Sequence, residues 1–364
     1  MSKKVAVIAS ILKPVDDTRL YEKLGLSMRE SNKYQINIIG FEVKNPPVHS
    51  GVTFHSLYNG SRFGIGRLWA PWKFLLMLIS LKPELVIVCT PQLLLPGCLY
   101  KAIARKQLWY DVQENYQRNI IHQSAYSPFF KPVLRLAVWL AETLSRPFVD
   151  HYLLAEQGYA SELTFVNGKH TILENKFRTL EISPRPSIEE IVRFVFTGTI
   201  SKENGIMEAI SLVQAIRANH YPVQLYIVGQ VPDHDLLDQI EEIIRNDSSI
   251  KLVGGHRLVS HKTILEYADS AQYGLVAHQP NPSTLNCIPT KIYEYLGLGL
   301  PILLQKHKLW ESVCTPYNAA IVMDYNHFHS ETIWKELKNR QFYTSEPGPE
   351  ITWNQEATKL LELL

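Results

Sequence analysis

Short unbroken runs of Val, Ile, Leu and Phe recur along this chain, at positions 5–10, 35–41, 85–89, 108–112 and 151–154, and again at 193–197, 224–228, 251–253, 273–277 and 301–304. Most do not alternate apolar with polar residues, so each strand they form is apolar on both faces. Such strands are stable only in a parallel sheet covered by helices on both sides. A parallel neighbour requires a crossover, and stretches with helical periodicity lie between the runs. The pattern predicts an α/β chain of doubly wound, Rossmann-like domains with parallel sheets.

At 364 residues the chain is long enough for two such domains. Positions 178–191, RTLEISPRPSIEEI, are polar, hold two prolines and follow neither periodicity, which predicts a linker. The expected division is 1–177, linker 178–191, 192–345, and a C-terminal segment 346–364. Its helix, near 354–364, follows a Pro-Gly-Pro break and can pack on either domain, including back on the first. Ligands of doubly wound sheets sit outside the carboxyl ends of the strands. With two domains, the expected site is the cleft those ends face.

The 37 basic and 35 acidic side chains leave a net charge of only +2, which gives no argument for nucleic acid. Cys89, Cys98, Cys287 and Cys314 are far apart and mostly in apolar runs, as expected of reduced cysteines in a cytoplasmic protein. The start, MSKKVAVIAS, reads as a first strand rather than a signal peptide. The most hydrophobic stretch, 72–81, is too short to span a bilayer.

The segment most suggestive of chemistry is 289–301, PTKIYEYLGLGLP. Pro289 suits a first helical position. Lys291 follows in the first turn, where backbone N–H groups favour an anion. Glu294 stands three residues on, on the same face. A cation, N–H donors and a carboxylate for ribose hydroxyls suit a nucleoside diphosphate. From spacing alone, a surface Lys–Glu pair on an ordinary helix is the simpler reading.

The segment resembles the donor-site motif of glycosyltransferase family 4, P-x-K-x-x-E-Y-x-x-x-G-x-P. Five further stretches resemble that family in the same order: Asp16-Asp17-Thr18-Arg19; Tyr110-Asp111-Val112-Gln113-Glu114-Asn115-Tyr116, similar to YDVHENY; Leu173-Glu174-Asn175; Phe196-Thr197-Gly198-Thr199 through Asn204-Gly205; and Tyr226-Ile227-Val228-Gly229.

The resemblance implies a GT-B fold and a retaining glycosyltransferase using a UDP- or GDP-sugar, with an α-configured product and neither metal nor cofactor. It implies a donor side made of Gly198, Thr199, Lys202, Gly229, Arg257, Asn286, Pro289, Lys291 and Glu294. Glu294 would hold the ribose and Lys291 a phosphate or the sugar, while the glycines let backbone approach the diphosphate. The acceptor side would comprise Asp17, Arg19, Gln113 and Glu114.

The sequence also departs from the family. Asn286 stands where many members have a first glutamate, and Thr199 and Asn204 replace an Arg and a Lys. The phosphate role then passes to Lys202, Lys291 or Arg257. Gln113 replaces a histidine and cannot be a general base. If the acceptor hydroxyl needs one, Glu114 or Asp17 is the candidate; if the leaving phosphate takes the proton, none is required.

Purely structural roles stand beside these. Asp111 reads as a helix N-cap or first-turn acid, and Glu114 fits that role as well as catalysis. Arg19 could pair with Asp16 or Asp17 on the surface. His278 closes a strand on the cleft side, where it could touch the donor, but a satisfied loop histidine is the simpler reading. His256 with His261, and His327 with His329, lack a third metal ligand.

Positions 43–83 contain no acid but carry Lys44, Arg62, Arg67, Lys73 and Lys82 among Trp69, Trp72 and Phe74; 129–146 is apolar at helical spacing, with Lys131, Arg135 and Arg146 against Glu142. Basic residues interleaved with aromatics suit anionic lipid, so 61–82 and 129–146 are expected to touch a membrane peripherally, as for a lipid-linked saccharide acceptor in envelope polysaccharide synthesis. Two core helices with basic edges would look the same. The alternative function is a non-catalytic protein that binds a nucleotide sugar or a partner.

Overall fold

The structure, a computed structural model, describes residues 3–58, 66–122, 128–166, 168–178 and 191–364. Positions 61–65 of the basic segment and 179–190 of the expected linker lie outside the described residues. The chain divides into two compact units, one of Met1–Arg178 with Trp353–Leu364, the other of Thr179–Thr352.

In the first unit, strands β1 (Lys4–Pro14), β2 (Tyr34–Phe41), β3 (Val52–Ser56), β4 (Leu85–Val88), β5 (Gln107–Val112), β6 (His151–Leu154) and β7 (His170–Ile172) form a parallel sheet of order β3-β2-β1-β4-β5-β6-β7. Its helices are α1 (Leu26–Glu30), entered through a π-helical stretch Thr18–Gly25, α2 (Gly66–Leu81), α3 (Leu94–Ala104), α4 (Tyr116–His122), α5 (Lys131–Ser145) and α6 (Tyr159–Glu162). All four residues of β4, LVIV, are buried, the expected result for a strand covered on both faces.

In the second unit, β8 (Val192–Thr197), β9 (Val223–Gln230), β10 (Ile250–Gly255), β11 (Tyr273–Val276), β12 (Ile302–Gln305) and β13 (Ala320–Met323) pair in parallel in the order β10-β9-β8-β11-β12-β13. Helices α7 (Ile206–Ala218), α8 (His234–Asn246), α9 (His261–Ser270), α10 (Thr290–Gly297), α11 (Lys308–Cys314) and α12 (Ser330–Asn339) accompany them. Each sheet therefore runs outward in both directions from its first strand. This is the Rossmann order, with the switch point between β1 and β4 in one unit and between β8 and β11 in the other.

Helix α13 (Trp353–Glu362) belongs to the first unit. The Trp353 ring is buried and its Nε1 donates to Ser27 Oγ at 2.9 Å. Lys176 Nζ reaches Glu356 Oε1 at 2.8 Å, in a charge cluster that includes Glu174 and Lys359.

Candidate functional site

The carboxyl ends of β8 and β11 meet at the second unit's switch point, and the local backbone there requires glycine. The turn at 198–205 leaves β8 with Gly198 at φ +96° and enters α7 from Gly205 at φ +80°. A Cβ on Gly205 would lie 1.8 Å from the Ala277 carbonyl oxygen, and one on Gly229 1.7 Å from that of Gly198. No side chain fits at those distances, so the glycines let the ends of β8 and β9 touch and let α7 start against the end of β11. Gln279 N donates to Glu203 O at 2.9 Å, tying the turn to the loop after β11. Asn204 Nδ2 closes the turn by donating to Thr199 O at 2.7 Å. Asn204, which stands where the resembled motif has a lysine, is thus a turn closer.

Helix α10 approaches the same place. Pro289 is its N-cap rather than its first helical residue, and makes no side-chain cap. Lys291 is not the surface residue that spacing suggested, for only 7% of it is exposed. Its Nζ sits 4.2 Å from the centroid of the Phe196 ring and has no hydrogen-bond partner among the described residues. A cation over an aromatic face gains roughly 1–2 kcal/mol, far less than burial of an ammonium costs. Burial accordingly pushes the Lys291 ammonium down to about 7, against a smaller upward pull from Glu294.

Around it, Glu294 Oε1 lies 3.0 Å from His261 Nε2 of α9, so His261 serves a carboxylate. Tyr295 OH meets Thr197 Oγ1 at 2.8 Å, fixing α10 to the end of β8. His278 is the residue the sequence reading underrated. It is buried beside Trp310, and its Nδ1 has no partner among the described residues. Burial first, and the Lys291 charge second, hold it well below the usual histidine range. Its position one residue past an apolar Tyr-Gly-Leu-Val-Ala run was the available signal.

The structure therefore brings together Gly198, Gly229, Pro289, Lys291 and Glu294 with the backbone of Thr199. The side chains of Thr199, Lys202, Arg257 and Asn286 are exposed on the surrounding loops. Among the described residues no group of three or more His, Cys, Asp or Glu side chains could hold a metal ion.

In the first unit the expected acceptor-side residues form a network. Arg19 is buried: Nε and Nη2 grip Asp111, with Nη2 2.6 Å from Oδ1, and Nη1 donates to Leu173 O at 2.9 Å. This corrects two readings, since Arg19 is not in a surface pair and Asp111 is not a helix cap. The cap of α4 is Asn115, whose Oδ1 accepts from Arg118 N at 3.1 Å. Asp17 Oδ1 accepts from Arg19 N and Leu20 N and so starts the π-helical stretch. Gln113 Nε2 donates to Asp111 Oδ2 at 2.8 Å, and Asn119 Nδ2 donates to Glu114 Oε2 at 2.8 Å.

No known protein-family model matches the sequence, and no curated protein matches it. Solved structures do match. Sucrose-phosphate synthase from Thermosynechococcus elongatus aligns at a TM-score of 0.68 and 14% identity, over 100% of this chain and 95% of that one. The Anabaena HepE protein in complex with UDP and glucose aligns at 0.63 and 13%, over 100% and 94%. WaaG, a glycosyltransferase involved in lipopolysaccharide biosynthesis, aligns at 0.61 and 12%, over 99% and 95%. The fold is GT-B. At this identity the likeness extends to architecture, and a GT-B scaffold leaves the reaction to be argued from its residues.

Proposed function

We propose that the chain is a retaining glycosyltransferase that takes a sugar from a UDP- or GDP-sugar, without a metal ion, and delivers it to a saccharide or lipid-linked saccharide of the cell envelope. The observation that carries the reading is Lys291: a buried lysine without a hydrogen-bond partner among the described residues, in the first turn of α10, at the switch point where a doubly wound sheet takes its ligand. The alternative of an ordinary surface helix has no reason to bury an ammonium.

In this reading the diphosphate lies against the 198–205 turn and α10, and Glu294 takes the ribose hydroxyls. As the bond from the anomeric carbon to the phosphate oxygen breaks, negative charge grows on the leaving diphosphate, where Lys291 and backbone N–H groups stabilise it. The acceptor oxygen bonds to the anomeric carbon on the face that is vacated, and its proton passes to the departing phosphate oxygen. This route asks nothing of Glu114 or Asp17, which already hold local hydrogen bonds; Glu114 is the base if one is used.

The test is donor binding and turnover with a panel of UDP- and GDP-sugars. Glu294→Ala should abolish donor binding and Lys291→Ala nearly so. Unchanged affinity in both sinks the site. Binding without hydrolysis or transfer would mark a non-catalytic binder, and interconversion of the free donor an epimerase.

The acceptor reading includes a membrane surface. Helix α3 contacts both α2 and α5, and all three expose apolar side chains, among them Trp69, Trp72, Ile103, Val133 and Trp139. The only acid on these helices is Glu142, which is 3% exposed, whereas Lys73, Arg105 and Arg135 are exposed. An apolar face carrying Lys73, Arg105 and Arg135 suits an anionic bilayer. Among the described residues no helix is long and apolar enough to cross one. Co-sedimentation with phosphatidylglycerol vesicles at low salt, lost in Trp69→Ser/Trp72→Ser, is expected; no binding removes the idea.

A further inference from the structure

We propose that His278 and Lys291 together form the anion receptor of the second unit, His278 as a neutral hydrogen-bonding group and Lys291 as a cation completed by the ligand, so that each phosphate-bearing ligand brings one proton into the site. The inference rests on the reading of Lys291 as the diphosphate residue and goes beyond it in the role of His278 and in the proton.

Among the described residues Lys291 Nζ and His278 Nδ1, close enough for the lysine charge to act on the imidazole, are buried without partners, as is His307 Nδ1 against Trp310. The apolar surroundings of the first two are the Phe196 ring under the ammonium and the Trp310 ring at 5.8 Å from the His278 imidazole. Buried polar atoms are ordinarily satisfied, so a pair left open at a switch point marks a place for a ligand. The pair cannot both be cations. Burial and mutual repulsion keep His278 neutral, and burial alone makes Lys291 easy to discharge near neutral pH.

The other titratable groups do not change this. Glu294 on α10 is the nearby carboxylate that favours the charged lysine, and it is shared with His261 of α9. His307, at the N-cap of α11, stacks on Trp310 at 4.0 Å; burial holds it below the usual histidine range, against a smaller upward pull from Glu311. A diphosphate within hydrogen-bond reach adds negative charge next to Nζ, which favours the ammonium. The balance is simple: one proton passes from solvent to Lys291 Nζ, and no other bond is made or broken. His278 stays uncharged and offers its open ring nitrogen to the same ligand.

The test is titration calorimetry of the full chain with UDP at pH 8 in buffers of different ionisation enthalpy. The wild type should take up close to one proton per UDP. Lys291→Arg, whose guanidinium stays charged, should bind UDP with no such uptake. His278→Phe should keep the uptake and bind about tenfold more weakly, the effect of one lost hydrogen bond. Should the Arg variant not fold, wild-type affinity between pH 8 and 9.5 gives the same answer, falling about tenfold per pH unit. Equal uptake in wild type and Lys291→Arg, or an affinity flat with pH, overturns the proton. Unchanged affinity in His278→Phe overturns its role. If UDP, GDP and ADP all fail to bind, the transferase reading falls too, an outcome distinct from binding without proton uptake.

Discussion

Arg19 Nη2 and Asp111 Oδ1 lie 2.6 Å apart inside the first unit, although 92 residues separate them in the chain. The pair joins the start of the π-helical stretch to β5, and the third donor of Arg19 holds the carbonyl that follows β7. Burial would otherwise lower the tendency of Arg19 to carry charge, and Asp111 offsets this.

Removing one partner leaves the other charged and buried. Arg19→Ala is expected to destabilise the protein by about 3–5 kcal/mol, whereas losing a surface pair costs under about 1 kcal/mol. Arg19→Lys should fall between, since an ammonium cannot grip both carboxylate oxygens and Leu173 O at once. Urea unfolding reads the difference. A loss under about 1 kcal/mol for the alanine variant would return Arg19 to an exposed, acceptor-facing role.

The second prediction follows from Lys291. Its folded-state value near 7 lies below the ordinary 10.5, so across that window the unfolded chain holds a proton that the folded chain has released. Stability without ligand should therefore rise as pH climbs from about 7 toward 10.5. Lys291→Met keeps the stem and removes the amine. It should raise stability at pH 7 by roughly 1–2 kcal/mol, lose this lysine's share of the pH slope and bind no nucleoside diphosphate. Melting temperatures across pH measure it. A variant less stable than wild type at pH 7 would mean that Lys291 has a structural partner after all.

The two residues also show where the sequence was readable. Central strands such as β4 and β11 were visible because burial on both faces forces a continuous apolar run. The edge strands β3, VTFHS, and β7, HTI, are only partly covered and carry no such run. Helix α10 misled for the opposite reason. Ile292, Tyr293, Tyr295 and Leu296 are buried along with Lys291, so no solvent face exists for spacing to reveal. The partner of Arg19 was hidden by distance along the chain, while Asp16 and Asp17 offered nearer candidates. His278 was named in the sequence but read as satisfied, because a lone histidine gives no sign of whether its ring nitrogens find partners.

Glu142 provides a third prediction with the opposite sign to Lys291. It is buried in α5, accepts from Tyr110 OH at 3.2 Å and Gln117 Nε2 at 2.8 Å, and is pushed up by burial to about 7 from an ordinary 4.5. Here the folded state keeps a proton that the unfolded state loses. Its contribution is full below pH 4.5 and disappears as pH rises through 7. Glu142→Gln cannot ionise and retains polar contacts for Tyr110. It should be more stable than wild type at pH 8 by of order 1–3 kcal/mol and nearly equal at pH 4.5. Thermal melts at the two pH values decide it, and a gap independent of pH would count against the buried carboxyl.

The turn at 198–205 allows packing and ligand approach to be separated. On Gly205 a methyl group would lie 1.8 Å from the Ala277 oxygen at φ +80°, so Gly205→Ala must push the start of α7 away from the end of β11 and should cost more than about 2 kcal/mol. On Gly198, at φ +96°, a methyl would meet nothing within 4 Å, so Gly198→Ala should cost only the backbone strain, about 1–2 kcal/mol. Gly299, at φ +62° with equally open space, is the control for that strain. If the open space beside Gly198 is where the diphosphate lies, Gly198→Ala will weaken UDP binding at least tenfold more than Gly299→Ala at similar stability. Equal affinities in these two variants would place the diphosphate elsewhere, because a ligand that depends on close backbone approach cannot ignore a methyl group put in its path.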